Sequence, residues 1–322
     1  MQSTISAGVI RWLCIVGAVC AGAASAEDDL LLDLKGATER AARQSYQLRY
    51  QFHRGETVRY KVVQLTATNT RVGGILDKKT NRPTEVFDKV QTRSISTKAW
   101  KVVQVNDEGH ATFVHTVEDV DMWSHIAGRK EVRYNSKTDA KPPKGYEGVA
   151  KNLGQTLATI TIDSTGKVLK RVDKDGYSAI RGEQIVDRLP PQPVRIGDQW
   201  FCPHEIIVAD NDGRYQRIKT RKLYRLEKVS AGVATIHVQT QVLTPIHSPA
   251  IEAKLVKWLT EGNLKLDLDA GRVLSLELNL DKTVMGFAGP NSRMEYLARR
   301  TETLLPSQQQ TAQRKETETE RK

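Results

Sequence analysis

Residues 261–280 read EGNLKLDLDAGRVLSLELNL. Leu264, Leu266 and Leu268 alternate with Lys265, Asp267 and Asp269; after Ala270-Gly271, Leu274, Leu276, Leu278 and Leu280 alternate with Ser275, Glu277 and Asn279. Side chains in a strand point to opposite faces with period two, so both arms put leucine on one side and polar groups on the other. The reading is a β-hairpin laid over an apolar core, and it sets the expectation for the chain: mainly β, antiparallel, with few helices.

Other stretches carry the same signal. Tyr46–Phe52 alternates large apolar with polar residues, His53–Glu56 reads as a turn, and Val58–Thr68 is rich in Val, Tyr and Thr. Lys98–Val105 and Ala111–Val120 flank Asn106-Asp-Glu-Gly109, a connection with the Gly that a hairpin needs. Thr159–Ile162 and Lys167–Val172 flank Asp163-Ser-Thr-Gly166 in the same way. Helices are expected at Pro249–Thr260, where Ser248 can cap and Ile251, Leu255, Trp258 and Leu259 share a face, and within 175–194, where Ile180, Ile185, Val186 and Leu189 precede a Pro-rich stop. Ala127–Gly148, rich in Gly, Lys and Pro, reads as an exposed loop.

The chain repeats itself. KAWKVVQVNDEGHATFVHTV (98–117) aligns without a gap on RKLYRLEKVSAGVATIHVQT (221–240), matching Gly109 to Gly232. RGETVRYK (54–61) and RIGDQWFC (195–202) both run from Gly and an acid into an aromatic strand, and Gly166-Lys-Val-Leu169 matches Gly271-Arg-Val-Leu274. Three landmarks in one order imply duplicated β-units, with two arrangements left open: one continuous sheet curved like a half-barrel, or two separate domains. The expected organisation is a signal peptide at 1–26, an N-terminal segment at 27–45, a first β-unit at 46–174, a short helix and Pro-rich connector at 175–194, a second β-unit with one helix at 195–305, and a disordered tail at 306–322.

Export is read from the first residues. Arg11 is the only charge before Glu27, Trp12–Gly22 is apolar, and Ala24-Ser25-Ala26 offers a cleavage site. The apolar run is too short to span a bilayer, so the location expected is periplasmic or extracellular, and Val19 before Cys20 argues against a lipid anchor. Cleavage would leave Cys202 as the sole cysteine, with no internal disulfide. The formal net charge of +11 is spread among acidic residues. Export disfavours nucleic acid as a partner; the charge reads first as a basic, well-solvated surface, and the sharper alternative is attraction to anionic envelope material, lipid head groups or acidic polysaccharide.

PVRIGDQWFCPHE, GVATIHVQTQVLTP and EGNLKLDLDAGRVLSLEL together resemble an uncharacterised family of signal-bearing bacterial secreted proteins with a Pro-Val-x-x-Gly-Asp-x-Trp element. That resemblance implies export and a β-rich fold, with no activity to carry over. More loosely, long antiparallel strands with packed helices are similar to LolA-type lipoprotein carriers, whose half-open sheet holds acyl chains.

Catalytic and metal motifs are weak. Cys202 and His204 share a strand face, two ligands where a metal needs three or four. His110 and His115 face opposite sides of one strand, and His125 completes no zinc pattern. Asp119 and Asp121 lie on one strand face, whereas a glycosidase needs its pair across a cleft. Asp173–Gly176 and Asp210–Gly213 lack the ligand spacing of a calcium loop, and Asp212-Gly213 reads as a hairpin turn. No cofactor, metal or enzyme activity is expected. In Tyr215–Leu226, Ile218, Thr220, Tyr224 and Leu226 form a core-like face, while Arg217, Lys219, Arg221 and Arg225 put four cations on the other, a candidate surface for an anionic partner. Trp200 and Trp258 are expected in the core; Trp100 and Trp123 are candidate groove aromatics. The leading functional expectation is an exported non-enzymatic envelope protein. A carrier of an apolar, lipid-like ligand in the concave face of the sheet comes second, and a hydrolase is a remote third.

Overall fold

Strands β1 (Thr57–Leu76), β2 (Pro83–Val105) and β3 (Ala111–Ile126) form a meander far longer than the sequence pattern suggests. A computed structural model of the chain describes residues 44–76, 80, 82–174, 186–209 and 213–306. The expected signal peptide, nearly all of the 27–45 segment, residues 175–185 of the expected helix and connector, Asp210–Asp212 and all but the first residue of the tail lie outside the described residues. The chain divides into Met1–Gln44 and Ser45–Lys322, and only the second is treated below.

The remaining elements are β4 (Val132–Asn135), α1 (Glu147–Asn152), β5 (Ala158–Ile162), β6 (Val168–Asp173), β7 (Gln199–Ala209), β8 (Tyr215–Ser230), β9 (Val233–Val242), α2 (Pro249–Leu255) running into a 3₁₀ turn at Val256–Trp258, β10 (Glu261–Asp267), β11 (Arg272–Met285) and β12 (Ser292–Leu304). All strands join one open antiparallel sheet in the order β6-β5-β3-β2-β1-β12-β11-β10-β9-β8-β7, with β4 branching from β3. The fold is mainly β, as expected.

The two halves follow one plan. Each is a five-strand meander with a short helix between its third and fourth strands, and β12 joins them by pairing with β1 and β11. The matched glycines recur at matched turns: Gly55 and Gly197 before β1 and β7, Gly109 and Gly232 between β2–β3 and β8–β9, Gly166 and Gly271 between β5–β6 and β10–β11, all with positive φ. Even the entry turns bond alike, Gly55 N donating to Val102 O and Gly197 N to Leu226 O.

One core cluster gathers Trp100, Phe113 and Ile160 from the first half with Tyr224, Ile236, Leu264 and Leu266 from the second. Strands from opposite ends of the sheet can meet only if the sheet curls, so it has a concave, core-bearing face and a convex one. In the 261–280 hairpin Leu264, Leu266, Leu276, Leu278 and Leu280 are buried on the concave side as expected. A bulge after Lys265 shifts the phase, however, so that Val273 rather than Leu274 stands opposite Leu266 and packs against the core.

Four expectations change. Tyr46–Phe52 is extended but pairs with no strand; Tyr46 makes one bridge to Val194, and the segment crosses the tips of two hairpins, Tyr50 N donating to Ser164 O (2.7 Å) and Gln51 N to Gly271 O (3.0 Å). Its alternation reflects burial of Leu48 and Tyr50 against the core rather than a ladder. The close approach explains two glycines: a Cβ on Gly166 would stand 2.9 Å from the Tyr50 ring, and one on Gly271 2.6 Å from Gln51 N. Within Ala127–Gly148 lies β4, whose Tyr134 is buried and stacks on Tyr146. The helix from Pro249 is shorter than expected, and Ser248 sits at its N-cap without a side-chain capping bond, its carbonyl accepting from Glu252 N. Finally, β1 and β2 continue well past Thr68 and before Lys98 as a Thr- and Ser-rich ladder, including a Thr66–Thr92 hydroxyl contact of 2.6 Å.

Candidate functional site: a cavity on the concave face

Between the core cluster and the 3₁₀ turn that follows α2, the curled sheet leaves a cavity of about 420 Å³. Its walls come from both halves: Phe52 of the crossing segment, Tyr60 of β1, Trp100 of β2, Ile206 of β7, Leu276 and Leu278 of β11, Tyr296 and Ala298 of β12, and Trp258 from the 3₁₀ turn. The helix is held over the sheet by Ile251 and Leu255 packing on Ile206, Val208 and Ile218, by Val256 against Leu280, Val284 and Met294, and by a Glu252–Lys282 ion pair of 3.2 Å. Side chains do not fill this part of the apolar face, which stays open beneath the 3₁₀ turn.

The cavity carries charge as well. Lys222 Nζ lies 3.1 Å from Asp187 Oδ1, which also accepts from the Tyr224 hydroxyl at 2.9 Å, and Tyr50 donates to Asp187 O at 2.8 Å. Arg272 pairs with Glu56. Glu302 is nearly buried and bridges Lys98 (2.7 Å) and Arg300 (2.5 Å). Burial pushes the Glu302 carboxyl up, but the Lys98 and Arg300 charges and hydrogen bonds outweigh it and hold it at about 2. Lys98 also lies over Trp100, 4.9 Å from its centroid. His204 sits on the same wall, its pKa lowered by burial and then by Lys222. Lys257, on the rim beside Trp258, has no carboxylate partner among the described residues. Across the strand pair from Trp100, His115 is burdened first by burial and then by Lys98 and Arg171, which bring it down to about 4, and its Nε2 has no hydrogen-bond partner.

Of the residues singled out in the sequence, Trp100 lines the cavity and stacks on Phe113 at 4.8 Å. Trp123 does not: it pairs in register with Arg93 on the convex side, because β3 changes phase at the bulge after Val117. Trp200 is half-buried against Tyr224, and Trp258 serves both the helix packing and the cavity wall. Arg217, Lys219, Arg221 and Arg225 stand together on the convex face. Cys202 and His204 share the concave face as their spacing requires. Asp119 and Asp121 lie side by side on the convex face, paired with Lys137 (3.0 Å) and Arg93 (3.3 Å) rather than facing one another across a cleft. Among the described residues, no group of three or more His, Cys, Asp or Glu is placed to hold a metal, and no helix is long and apolar enough to cross a membrane.

Sequence reasoning missed Lys222, Arg272, Arg300, Glu302 and Lys257 as cavity residues. The signal was present in part: Lys222 interrupts the core-like face of β8, a charge at a position whose neighbours are all concave.

Fold and site together define an open, curled antiparallel sheet enclosing a mostly apolar cavity with a charged rim. No protein-family model and no curated protein matches the chain. Among solved structures it is similar to one describing lipid–protein interactions in lipovitellin, at 9% identity and a TM-score of 0.43, covering 80% of this chain and 26% of that one. It is more distantly similar to the translocator domain of autotransporter NalP from Neisseria meningitidis, at 9% identity and a TM-score of 0.16, covering 87% and 96%. The chain spans about a quarter of the lipovitellin chain. Likenesses this distant carry no function across.

Proposed function

We propose that this protein is an exported, non-enzymatic carrier that holds the apolar part of an anionic amphiphile in the concave cavity. The observation that carries the reading is the cavity itself: about 420 Å³, within the ordinary range for small-molecule sites, predominantly apolar, and left open between the sheet and the 3₁₀ turn at Val256–Trp258. Protein interiors are close-packed, so an unfilled apolar space of this size under a dedicated cover calls for an occupant. The head-group chemistry follows from the rim. Lys222, Arg272 and Arg300 already share carboxylates, whereas Lys257 is free of one among the described residues and stands beside Trp258 at the cavity's edge. A carboxylate or phosphate head would complete it.

Burying a methylene is worth about 0.8 kcal/mol, so affinity should climb about fourfold per added CH₂ until the cavity is full. The test is displacement of a fluorescent fatty acid by unlabelled acids of increasing length and by the matching alcohols. Length-dependent displacement, with the acids ahead of the alcohols, supports the reading. A flat response to length overturns it.

A further inference from the structure

Strand β8 has a second, unused face. Arg217, Lys219, Arg221 and Arg225 project from its convex side, with Lys219 and Arg217 exposed. Large apolar side chains stand among them on that same face. Ile207 is the cross-strand partner of Arg217, Phe201 that of Leu223, and Leu243 is placed beside Lys219 by its N–H bond to Lys219 O (2.8 Å). Phe201, Ile207, Leu243 and Tyr215 are all exposed, Tyr215 by 80%. The Arg221 guanidinium lies 5.5 Å over the Phe201 ring. β7 is the last strand of the open sheet, so this corner of the molecule is an edge as well as a face.

Two carboxylates answer the cations, Glu205 at 3.4 Å from Arg217 and Glu227 at 2.9 Å from Arg225. Ion pairs this exposed are weak and exchange readily for another anion. Four exposed apolar side chains are costly to leave in water, and interleaved with four cations they match a surface offering both anionic groups and a place to insert hydrocarbon.

We propose that the convex corner formed by β7, β8 and Leu243 docks onto an anionic lipid bilayer, the cations meeting head-group phosphates and Phe201, Ile207, Tyr215 and Leu243 entering the interfacial layer. An acidic polysaccharide would use the cations and leave the apolar side chains without a role, so the lipid surface is the occupant the corner fits. The inference stands apart from the cavity's content.

The test is co-sedimentation of the full chain with vesicles of phosphatidylcholine alone and with phosphatidylglycerol added. Binding is expected only to the anionic vesicles, falling steeply as salt rises. Each neutralised cation should lower partitioning about fivefold, so a Lys219→Gln/Arg225→Gln variant should lose about 25-fold. A Phe201→Ser/Ile207→Ser variant should lose vesicle binding while keeping its retention on an acidic polysaccharide column. Equal binding to neutral vesicles, no binding to anionic ones, or vesicle binding untouched by Phe201→Ser/Ile207→Ser overturns the proposal. The Ala298→Phe variant, which alters the concave face and leaves the β7–β8 corner unchanged, should sediment with vesicles as the unaltered chain does, which separates failure here from failure of the carrier reading.

Discussion

Removing the Lys98 ammonium should expose how the cavity wall is held together. Glu302 sits at 8% exposure in β12 with Lys98 at 2.7 Å, reaching across β1 from β2, and Arg300 on its other oxygen. Its carboxyl pKa lies at about 2 against the ordinary 4.5. That difference of about two and a half units corresponds to about 3 kcal/mol of preference for the charged form in the folded state. Because the folded pKa is the lower one, this stabilisation is complete above about pH 4.5 and is lost as pH falls towards 2. Lys98→Met leaves the carboxylate buried with Arg300 alone. The expected cost is about 3 kcal/mol at pH 7, read as a lower midpoint in urea unfolding at unchanged slope, with the acid-unfolding limb moved to higher pH. The double variant Lys98→Met/Glu302→Leu removes the stranded charge and should recover to within about 1 kcal/mol of the unaltered chain. A single substitution costing less than about 1 kcal/mol, or a double as unstable as the single, would refute the assignment of Glu302 as a buried charge stabilised by Lys98.

Other outcomes follow from the same geometry. His115, held neutral with its pKa at about 4, contributes stability that is complete above its unfolded value of 6.5 and lost as pH falls towards 4; His115→Leu should flatten the stability profile across that window in denaturant titrations at stepped pH. Gly271→Ala meets a positive φ and the Gln51 backbone, while Gly109→Ala meets a positive φ with nothing within 4 Å. The second should lose about 1 kcal/mol and the first clearly more, with faster release of a cavity-bound probe; equal losses would deny the crossing segment its role in closing the cavity floor. Lys257→Gln should narrow the preference for fatty acids over alcohols without altering the dependence on chain length; an undiminished preference would move the head group elsewhere.

The hairpins that bury one face were legible because burial imposes alternation, and 261–280 is the clearest example. The repeated glycines were legible too, since tight turns demand positive φ wherever they recur. The long arms of β1 and β2 were not. Gln64, Thr66, Thr68, Thr92, Ser94 and Ser96 face the concave side with no core pressed against them, so selection for apolar residues never marked their period. β12 was hidden for a related reason. Its concave positions Arg300 and Glu302 line the cavity as ions, which breaks the pattern in the strand that joins the halves. The cavity could not be read from sequence, because it is the space left where Trp258, Leu278 and Ala298, distant along the chain, fail to meet. The convex cations were legible as a face, but the apolar residues among them come from β7 and from beyond β9 and needed the register to place them.

Trp100 and Trp258 both line the cavity and provide its most direct reporter. Energy transfer from these tryptophans to a polyene fatty acid should saturate at one molecule per chain and disappear in Ala298→Phe, whose thermal unfolding should remain close to that of the unaltered chain. Transfer that never saturates, or that is equally strong in Ala298→Phe, would contradict a ligand seated in the cavity.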